Sequence, residues 1–167
     1  MGKLVRCLTT DGTVVALALD ATDIVARAEQ IHKTSAVVTA ALGRLLTAAS
    51  LMGFQLKGRD DTVTLRVDGG GPAGQIVAVS DSAGNVRGYA ANPVVEIPLR
   101  PDGKLNVGGA VGKDGLLYVL RDTGGSEPYV GCSWHRVDLP PPEGPTTAMV
   151  SPGRMWRSTS WSTAMSS

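Results

Sequence analysis

The stretch that decides the fold lies at residues 35–57 and reads SAVVTAALGRLLTAASLMGFQLK. Its larger apolar side chains recur at helical spacing, at Val38, Leu42, Leu45, Leu46, Ala49, Met52 and Leu56. Ser35 is a good N-cap for such a helix. The positions between them are small, namely Ala40, Ala41, Gly43, Ala48, Ser50 and Gly53. Small residues around most of the circumference allow close packing, so the sequence predicts a central helix covered by sheet.

The segment before this helix predicts a hairpin and a shorter helix. Two β-rich runs flank the turn Thr10-Asp11-Gly12, and they are residues 3–9 and 13–19. Asp-Gly between apolar runs favours a tight hairpin. The helix that follows is expected over 21–33, with Asp20 or Thr22 as its cap. Its apolar stripe consists of Ile24, Ala28 and Ile31.

The segment after the central helix alternates with the period of two that is typical of strands. The first strand faces one way with Val63, Leu65 and Val67 and the other way with Thr64, Arg66 and Asp68. Further strands are expected at 75–80, 86–90 and 116–121, the last of them buried. Val94–Leu99 is an edge strand or a loop, because Pro98 interrupts it. This order indicates an α+β fold, with antiparallel β-sheets packed around a central helical pair and followed by an irregular tail.

The composition of the chain changes after Gly131. Residues 132–167 hold all three tryptophans and half of the ten prolines, and no Ile, Phe, Tyr, Lys, Asn or Gln. No apolar period continues through them. The sequence therefore predicts an incomplete α+β domain over 1–131 and an irregular tail over 132–167, either disordered or out of frame.

The net charge and the cysteine content indicate which partners and which cellular location to expect. The net charge is +1, and residues 1–131 carry 13 basic and 13 acidic side chains. A neutral domain argues against nucleic acid as a partner. No apolar run approaches the roughly 20 residues that span a bilayer, and the N-terminus does not resemble a signal peptide. With only two cysteines, the expected location is the cytoplasm, where thiols stay reduced.

The glycine-rich stretch Gly69–Gly74 matches the dinucleotide-binding pattern G-x-G-x-x-G. That chemistry requires the glycine turn to open a helix whose N-terminus holds the pyrophosphate. Here the glycines lead into a β-rich run at 75–80. A connection between strands is therefore the preferred interpretation.

The remaining polar residues do not form a catalytic or metal-binding pattern. His32, His135, Cys7 and Cys132 have no partners at ligand spacing, whereas a metal site needs three or four converging ligands. His32 is expected to end a helix, and Cys7 is expected to be a small core residue. The pair Asp60-Asp61 is expected to form a solvated loop.

The tripeptide Arg87-Gly88-Tyr89 has two interpretations. It is either an exposed contact site or part of a cross-strand pair, with the glycine allowing close backbone approach. The sequence has no nucleophile motif such as G-x-S-x-G. No catalytic, cofactor-binding or metal-binding residue is assigned, and the sequence predicts a protein that is not an enzyme.

A series of short motifs, in order, resembles the redox-regulated 33-kilodalton chaperonin (heat-shock protein 33) family and covers nearly all of residues 3–131. These motifs are Thr34-Ser35, Thr39–Arg44, Leu51-Met52-Gly53, Leu56-Lys57, Gly69–Gly74, Val86–Tyr89, Asn92-Pro93, Gly103–Leu105, Val107-Gly108, Gly115–Leu117 and Glu127–Gly131.

The resemblance implies an ATP-independent holdase that binds unfolding proteins under oxidative and heat stress. It also implies a homodimer and a C-terminal zinc module with a Cys-x-Cys pair and a Cys-x-x-Cys pair. In that module reduced thiolates hold Zn²⁺, and oxidation to disulfides releases it.

The chain departs from this family after Gly131. Cys7 and Cys132 do not match the four cysteines of the module, so neither is given a metal or redox role and no cofactor is expected. The expected function is that of a truncated chaperone without its redox switch, and its client-binding surface is not assigned. The alternatives are a non-functional fragment of such a chaperone and a small-molecule-binding domain that uses Gly69–Gly74.

Overall fold

Helix α2 (Ala36–Gly53) is the central element of the fold. The computed structural model describes residues 3–125, 128–134 and 149–152. Within that part, α2 contacts both sheets and the two other helices, which are α1 (Thr22–His32) and α3 (Val107–Val111). The prediction of a central helix covered by sheet is confirmed.

Antiparallel strands form two sheets among the described residues. The first has three strands in the order β1 (Leu4–Leu8), β2 (Val14–Leu19) and β8 (Met149–Pro152). The second has five strands in the order β5-β4-β3-β6-β7. Their bounds are Thr62–Asp68 for β3, Ile76–Asp81 for β4, Val86–Ala90 for β5, Leu116–Asp122 for β6 and Tyr129–Trp134 for β7. The fold is α+β with antiparallel sheets, as predicted.

Small residues let α2 approach its neighbours closely. A Cβ atom at Gly43 would lie 2.9 Å from a methyl carbon of Val25 in α1. A Cβ atom at Gly88 in β5 would press on the Val77 carbonyl and lie 3.0 Å from Leu46 in α2. Each glycine therefore lies where a helix packs so closely on a neighbouring element that a side chain would collide with it.

Ser35 has a different role from the predicted one. It occupies the N-cap position of α2, but its side chain does not cap the helix. The Ser35 hydroxyl instead donates to the Val95 carbonyl at 2.9 Å and accepts from the Val95 N–H at 3.0 Å. The Ser35 N–H also donates to the Pro93 carbonyl at 2.9 Å. These three bonds hold the buried Val95 segment against the start of α2.

Several predicted elements end or pack differently. Helix α2 ends at Gly53 rather than at Lys57. Helix α1 begins at Thr22, and Ala21 at its N-cap position provides no side-chain cap. Asp20 accepts instead from the N–H and the hydroxyl of Thr22, the first residue of the helix. Strand β6 is half-buried rather than buried. Residues 94–99 form a loop, which is one of the two predicted alternatives. Helix α3 was not predicted, since its sequence VGGAV has low helix propensity.

The predicted division after Gly131 falls inside β7, and β8 lies within the predicted tail. The other residues of 132–167 lie outside the described part of the chain. The division into a domain over 1–131 and a tail over 132–167 therefore stays a prediction.

One helix in the described residues, α2, is long and apolar enough to cross a membrane by length and composition. A core helix of a soluble protein passes the same test. Its contacts with both sheets make α2 a core helix in this fold.

The close approach at Gly88 gives a stability prediction. Gly88→Ala should lower the free energy of unfolding by about 1–3 kcal/mol, because the new methyl group overpacks the contact between β5 and α2. Gly108→Ala is the matched control, since nothing lies within 4 Å of its new Cβ. The control should be neutral or stabilising by up to about 1 kcal/mol. Urea unfolding of both variants measures this, and equal stabilities would contradict it.

The two hydrogen bonds between the Ser35 hydroxyl and the Val95 backbone give a second stability prediction. Ser35→Ala should cost about 1–3 kcal/mol, because it leaves the buried Val95 N–H and carbonyl without their partner. Ser82→Ala is the control: the exposed Ser82 hydroxyl donates a single bond to the Arg59 carbonyl at 3.0 Å. Its loss should cost less than about 1 kcal/mol. Equal melting temperatures of the two variants in thermal unfolding would contradict the prediction.

Candidate functional site

The two faces of the five-stranded sheet are covered by other elements to different extents. Its inner face packs on α2 and carries buried Val63, Leu65, Val67, Ile76, Ala78 and Ser80. The register of the ladders places the alternate residues together on the opposite surface. We call that surface the outer face, and its central members are Thr64, Arg66, Val77, Val79, Tyr89, Tyr118, Leu120 and Val130. Among the described residues, the helices lie on the inner side.

The outer face is apolar at its centre. Val77 and Val79 on β4 and Tyr118 and Leu120 on β6 are all half-buried. The register places these two pairs on either side of Thr64 and Arg66 on β3. Tyr89 extends the patch on the β5 side, with 49% of its surface exposed. An apolar sheet face that meets solvent is typical of a protein-binding surface.

Arg66 is the cation at the middle of this patch. Its guanidinium carbon lies 4.2 Å from the centroid of the Tyr118 ring, directly across the strand pair. The Arg66 Nε atom is buried and has no hydrogen-bond partner. Stacking therefore holds the side chain flat over the ring, where its alkyl stem adds apolar area to the patch. Arg66 thus places a positive charge in the middle of the outer face.

The turn between β4 and β5 is built on Asp81. The Asp81 carboxylate accepts hydrogen bonds from the Asn85 amide side chain, the Asn85 N–H and the Ala83 N–H, each at 2.9 Å. The Asn85 side-chain bond is the main cause that holds the pKa of Asp81 below its ordinary value of 3.8. This carboxylate is therefore charged at neutral pH and fixes the hairpin that ends the patch.

The structure places Gly69–Gly74 at the turn into β4, as the sequence indicated. The amides of this turn are already engaged. Gly71 donates to Val111 at 3.0 Å, Ala73 donates to Ala110 at 2.9 Å, and Gly70 donates to the Asp68 carboxylate at 3.3 Å. A phosphate cradle needs amides that point at a ligand. The small-molecule alternative therefore gains no support from this turn.

The other motifs separate into structural and surface residues. The predicted solvated loop at Asp60-Asp61 is wrong for Asp61, which is buried and accepts from the Gly58 N–H at 3.0 Å. Gly88 permits the close approach that one interpretation of Arg87-Gly88-Tyr89 predicted. Arg87 and Tyr89 are exposed, and their interpretation as a contact site stays a prediction.

The histidines and cysteines do not converge in the described residues. His32 ends α1, as predicted. Cys7 is exposed on β1, so its prediction as a core residue is wrong. Cys132 lies on β7 in the other sheet, and His135 lies outside the described residues.

In the described part of the chain, the histidines and cysteines are not brought together as a zinc site. The two cysteines stand on strands of different sheets. In the part that the structure describes, no three His, Cys, Asp or Glu side chains are placed to hold a metal ion. The expectation of no cofactor stays a prediction.

Sequence analysis missed the outer face because it treated exposed strand positions as polar. A signal was available. Residues 76–79 and 116–120 are apolar at consecutive positions, and an antiparallel strand of that composition is apolar on both faces. Pairing two such strands across β3 brings the apolar positions together.

The described residues combine an α+β fold with an apolar sheet face of the kind that binds proteins. The family model for Hsp33 protein matches residues 2–134. The chain belongs to the Hsp33 family, and the resemblance read from its motifs is confirmed. This is a family of chaperones rather than of enzymes, and the chain corresponds to its N-terminal domain.

Individual relatives agree with this assignment. The chain is 44% identical over 129 residues to the 33 kDa chaperonin of Clostridium tetani, covering 77% of this chain and 44% of the relative. It is 48% identical over 130 residues to that of Ruminiclostridium cellulolyticum, with 78% and 44% coverage. The crystal structure of the Thermotoga maritima homologue superposes with a TM-score of 0.74 at 37% identity, over 78% of this chain and 44% of that one. The chain spans less than half the length of these relatives.

The lowered pKa of Asp81 gives a pH prediction. A carboxyl whose folded pKa is depressed contributes stability above its unfolded pKa and loses that contribution as the pH falls through the folded value. The wild-type free energy of unfolding should therefore fall below about pH 4, and more steeply than that of Asp81→Asn. Ser82→Ala, in the same turn, keeps the carboxylate and should keep the wild-type slope. Identical slopes for all three proteins in urea titrations from pH 7 to pH 3 would contradict the assignment.

Proposed function

We propose that this chain is an ATP-independent holdase that binds unfolding proteins on the outer face. The observation that carries the proposal is the set of half-buried apolar side chains, Val77, Val79, Tyr118 and Leu120, that the strand register places on this one face. Unfolding proteins expose apolar side chains in many different sequences. A flat apolar surface with no shaped pocket can bind such chains by area alone.

The Arg66–Tyr118 stack suits this role. A guanidinium over a ring presents an apolar stem, a π-face and a charge within one small area. Apolar, aromatic and acidic side chains of a client can each contact it. Tolerance of many sequences is what a general chaperone requires.

ATP independence is part of the proposal. The amides of Gly70, Gly71 and Ala73 donate within the protein, so this turn does not offer them to a nucleotide. Binding and release of clients are therefore expected to follow the folding state of the client.

Redox insensitivity of these 167 residues is also proposed. They contain two cysteines on different sheets, and this pair does not reproduce the four-thiolate zinc module that the family resemblance implies. Peroxide should therefore leave their client binding unchanged. We assign the activity to the cytoplasm, with unfolded or partly folded proteins as partners and a homodimer as the assembly to test.

Suppression of aggregation tests the proposal. The full chain should suppress light scattering by a chemically unfolded client, without ATP and equally with and without peroxide. Val79→Asp combined with Leu120→Asp should remove most of the suppression, because two carboxylates would be desolvated beneath a bound client. Leu105→Asp is the matched control. It introduces a charge at an apolar residue that is 40% exposed outside the outer face, and it should keep the wild-type activity.

Three results would contradict the proposal. No suppression by the wild type, with cooperative thermal unfolding, would remove the holdase function. No suppression together with non-cooperative unfolding would favour the non-functional fragment. Suppression that appears only after peroxide would overturn the redox-insensitive part.

A further inference from the structure

Helix α1 lies beyond the last strand of the five-stranded sheet. In this sheet α2 contacts β3, β4 and β5, of which β4 is the middle strand. Packed helices lie about 8–10 Å apart, which is about two spacings of neighbouring strands at about 4.8 Å each. Helix α1 packs beside α2 and contacts β5, the outermost strand on this side in the described part of the chain. The axis of α1 therefore lies about one strand spacing outside β5.

A groove of about 510 Å³ lies where a further strand of this sheet would run. Its lining includes Ile24, Ala28 and Ile31 of α1 and, on the sheet side, Val86 and Gly88 of β5. Ile31 is 57% exposed, and α1 has no fully buried residue. The apolar stripe of α1 is therefore only partly covered, because among the described residues no strand lies beneath it.

Strand β5 directs main-chain groups towards this groove. The Asp81 N–H donates to the Asn85 carbonyl at 3.1 Å, so these two residues are a hydrogen-bonded pair of the β4–β5 ladder. Such pairs recur at every second residue of an antiparallel ladder, and Arg87 belongs to the next one. Val86 and Gly88 therefore direct their N–H and C=O groups away from β4. We call these groups the β5 edge, and in the described part of the chain no strand pairs with it.

The two sides of β5 define what an added strand would contact. Paired residues of an antiparallel ladder project on the same side of the sheet. Gly88 faces the inner side, where a Cβ atom would lie 3.0 Å from Leu46, so residues paired with Val86 and Gly88 would lie beneath α1. The residues between them would lie on the outer face, beside the exposed side chains of Arg87 and Tyr89. An added strand would therefore extend the outer face by one strand and place every second side chain in the groove.

We propose that the β5 edge binds an extended segment of an unfolding client as an additional antiparallel strand, with alternate apolar side chains beneath α1. This inference rests on the proposed holdase function and describes how the client chain is held. Unfolding exposes main-chain groups together with apolar side chains, and the β5 edge and the groove offer contacts to both. Main-chain hydrogen bonds supply affinity without a required client sequence, which suits a general chaperone.

Three capped seven-residue peptides, with the same fluorescent label, test the pairing by anisotropy against the full chain. Threonine alternates with three leucines in each of them. One peptide is unmodified, one carries N-methyl groups on the three leucines, and one carries them on three of the threonines. With the leucines beneath α1, the leucine N–H groups point at β5 and the threonine N–H groups point away from it. Methylation of the leucines should therefore weaken binding by at least about tenfold, and methylation of the threonines by less than about threefold.

Variants of the chain locate the site. Val86→Pro removes an N–H of the β5 edge and keeps the hydrogen bonds to β4, so it should weaken the unmodified peptide by at least about threefold. Ile31→Ser should also weaken it, because it removes apolar area above the bound leucines. Leu99→Ser is the matched control, since Leu99 is 58% exposed and lies outside the groove, and it should bind like the wild type. Circular dichroism establishes that each variant is folded, and the comparison of the peptides needs no variant.

Three results would overturn this inference and leave the holdase function standing, provided that the wild type suppresses aggregation. The first is equal binding of the two methylated peptides, or the reverse of the expected order. The second is an absence of binding by all three peptides to the folded wild type. The third is a wild-type dimer that becomes a monomer in Val86→Pro, measured by sedimentation velocity, which would assign the β5 edge to a second copy of the chain. The expected peptide order without any suppression of aggregation would instead overturn the holdase function, and with it the client as the occupant of the edge.

Discussion

The rest of the structure depends on the close contact between α2 and the elements around it. Leu42 and Leu46 are 1% and 2% exposed, and complete burial of a leucine contributes about 1.5–3 kcal/mol. Such burial requires that helix α1 and the neighbouring strands pack closely against α2. The approach is possible because Gly43 and Gly88 have no side chain at the points of contact. The small residues of the helix and sheet thus determine how completely the large ones are desolvated.

The width of a single helix limits how much of the five-stranded sheet α2 can cover. Five strands spaced about 4.8 Å apart extend over about 19 Å between the outermost strands, whereas a helix with its side chains is about 10–12 Å wide. Helix α2 contacts β3, β4 and β5. The inner-facing residues of β6 are accordingly only half-buried, and Tyr129 on β7 is 55% exposed. In the described part of the chain the helices lie on the inner side of the sheet, so the outer face, which is the surface proposed for clients, has no helix packed on it there.

The sequence predicted a helix or strand correctly where one local signal, either a hydrophobic period or a turn motif, was enough to define it. Residues 63–67 alternate cleanly, so β3 is found with the correct facing. The Asp11-Gly12 turn lies between two apolar runs, so the first hairpin is found in the correct place. Prediction failed where a distant partner decided the outcome. Ser35 bonds to Val95, sixty residues away, rather than to its own helix. Cys7 alternates like a core residue, but the sheet that contains it leaves β1 exposed at the edge. The outer face required strand register, which links residues 77, 66 and 118 and which local patterns do not encode.

The outer face can discriminate little among the proteins that it meets. Its apolar strand residues surround Arg66, which is stacked on Tyr118, so binding there depends mainly on the apolar area of the partner. Every exposed apolar chain gains free energy from such contact, and contact area alone therefore provides little selectivity. Among the described residues, α2 packs on the inner side of the same sheet, so the sheet itself separates the surface proposed for clients from the core around this helix.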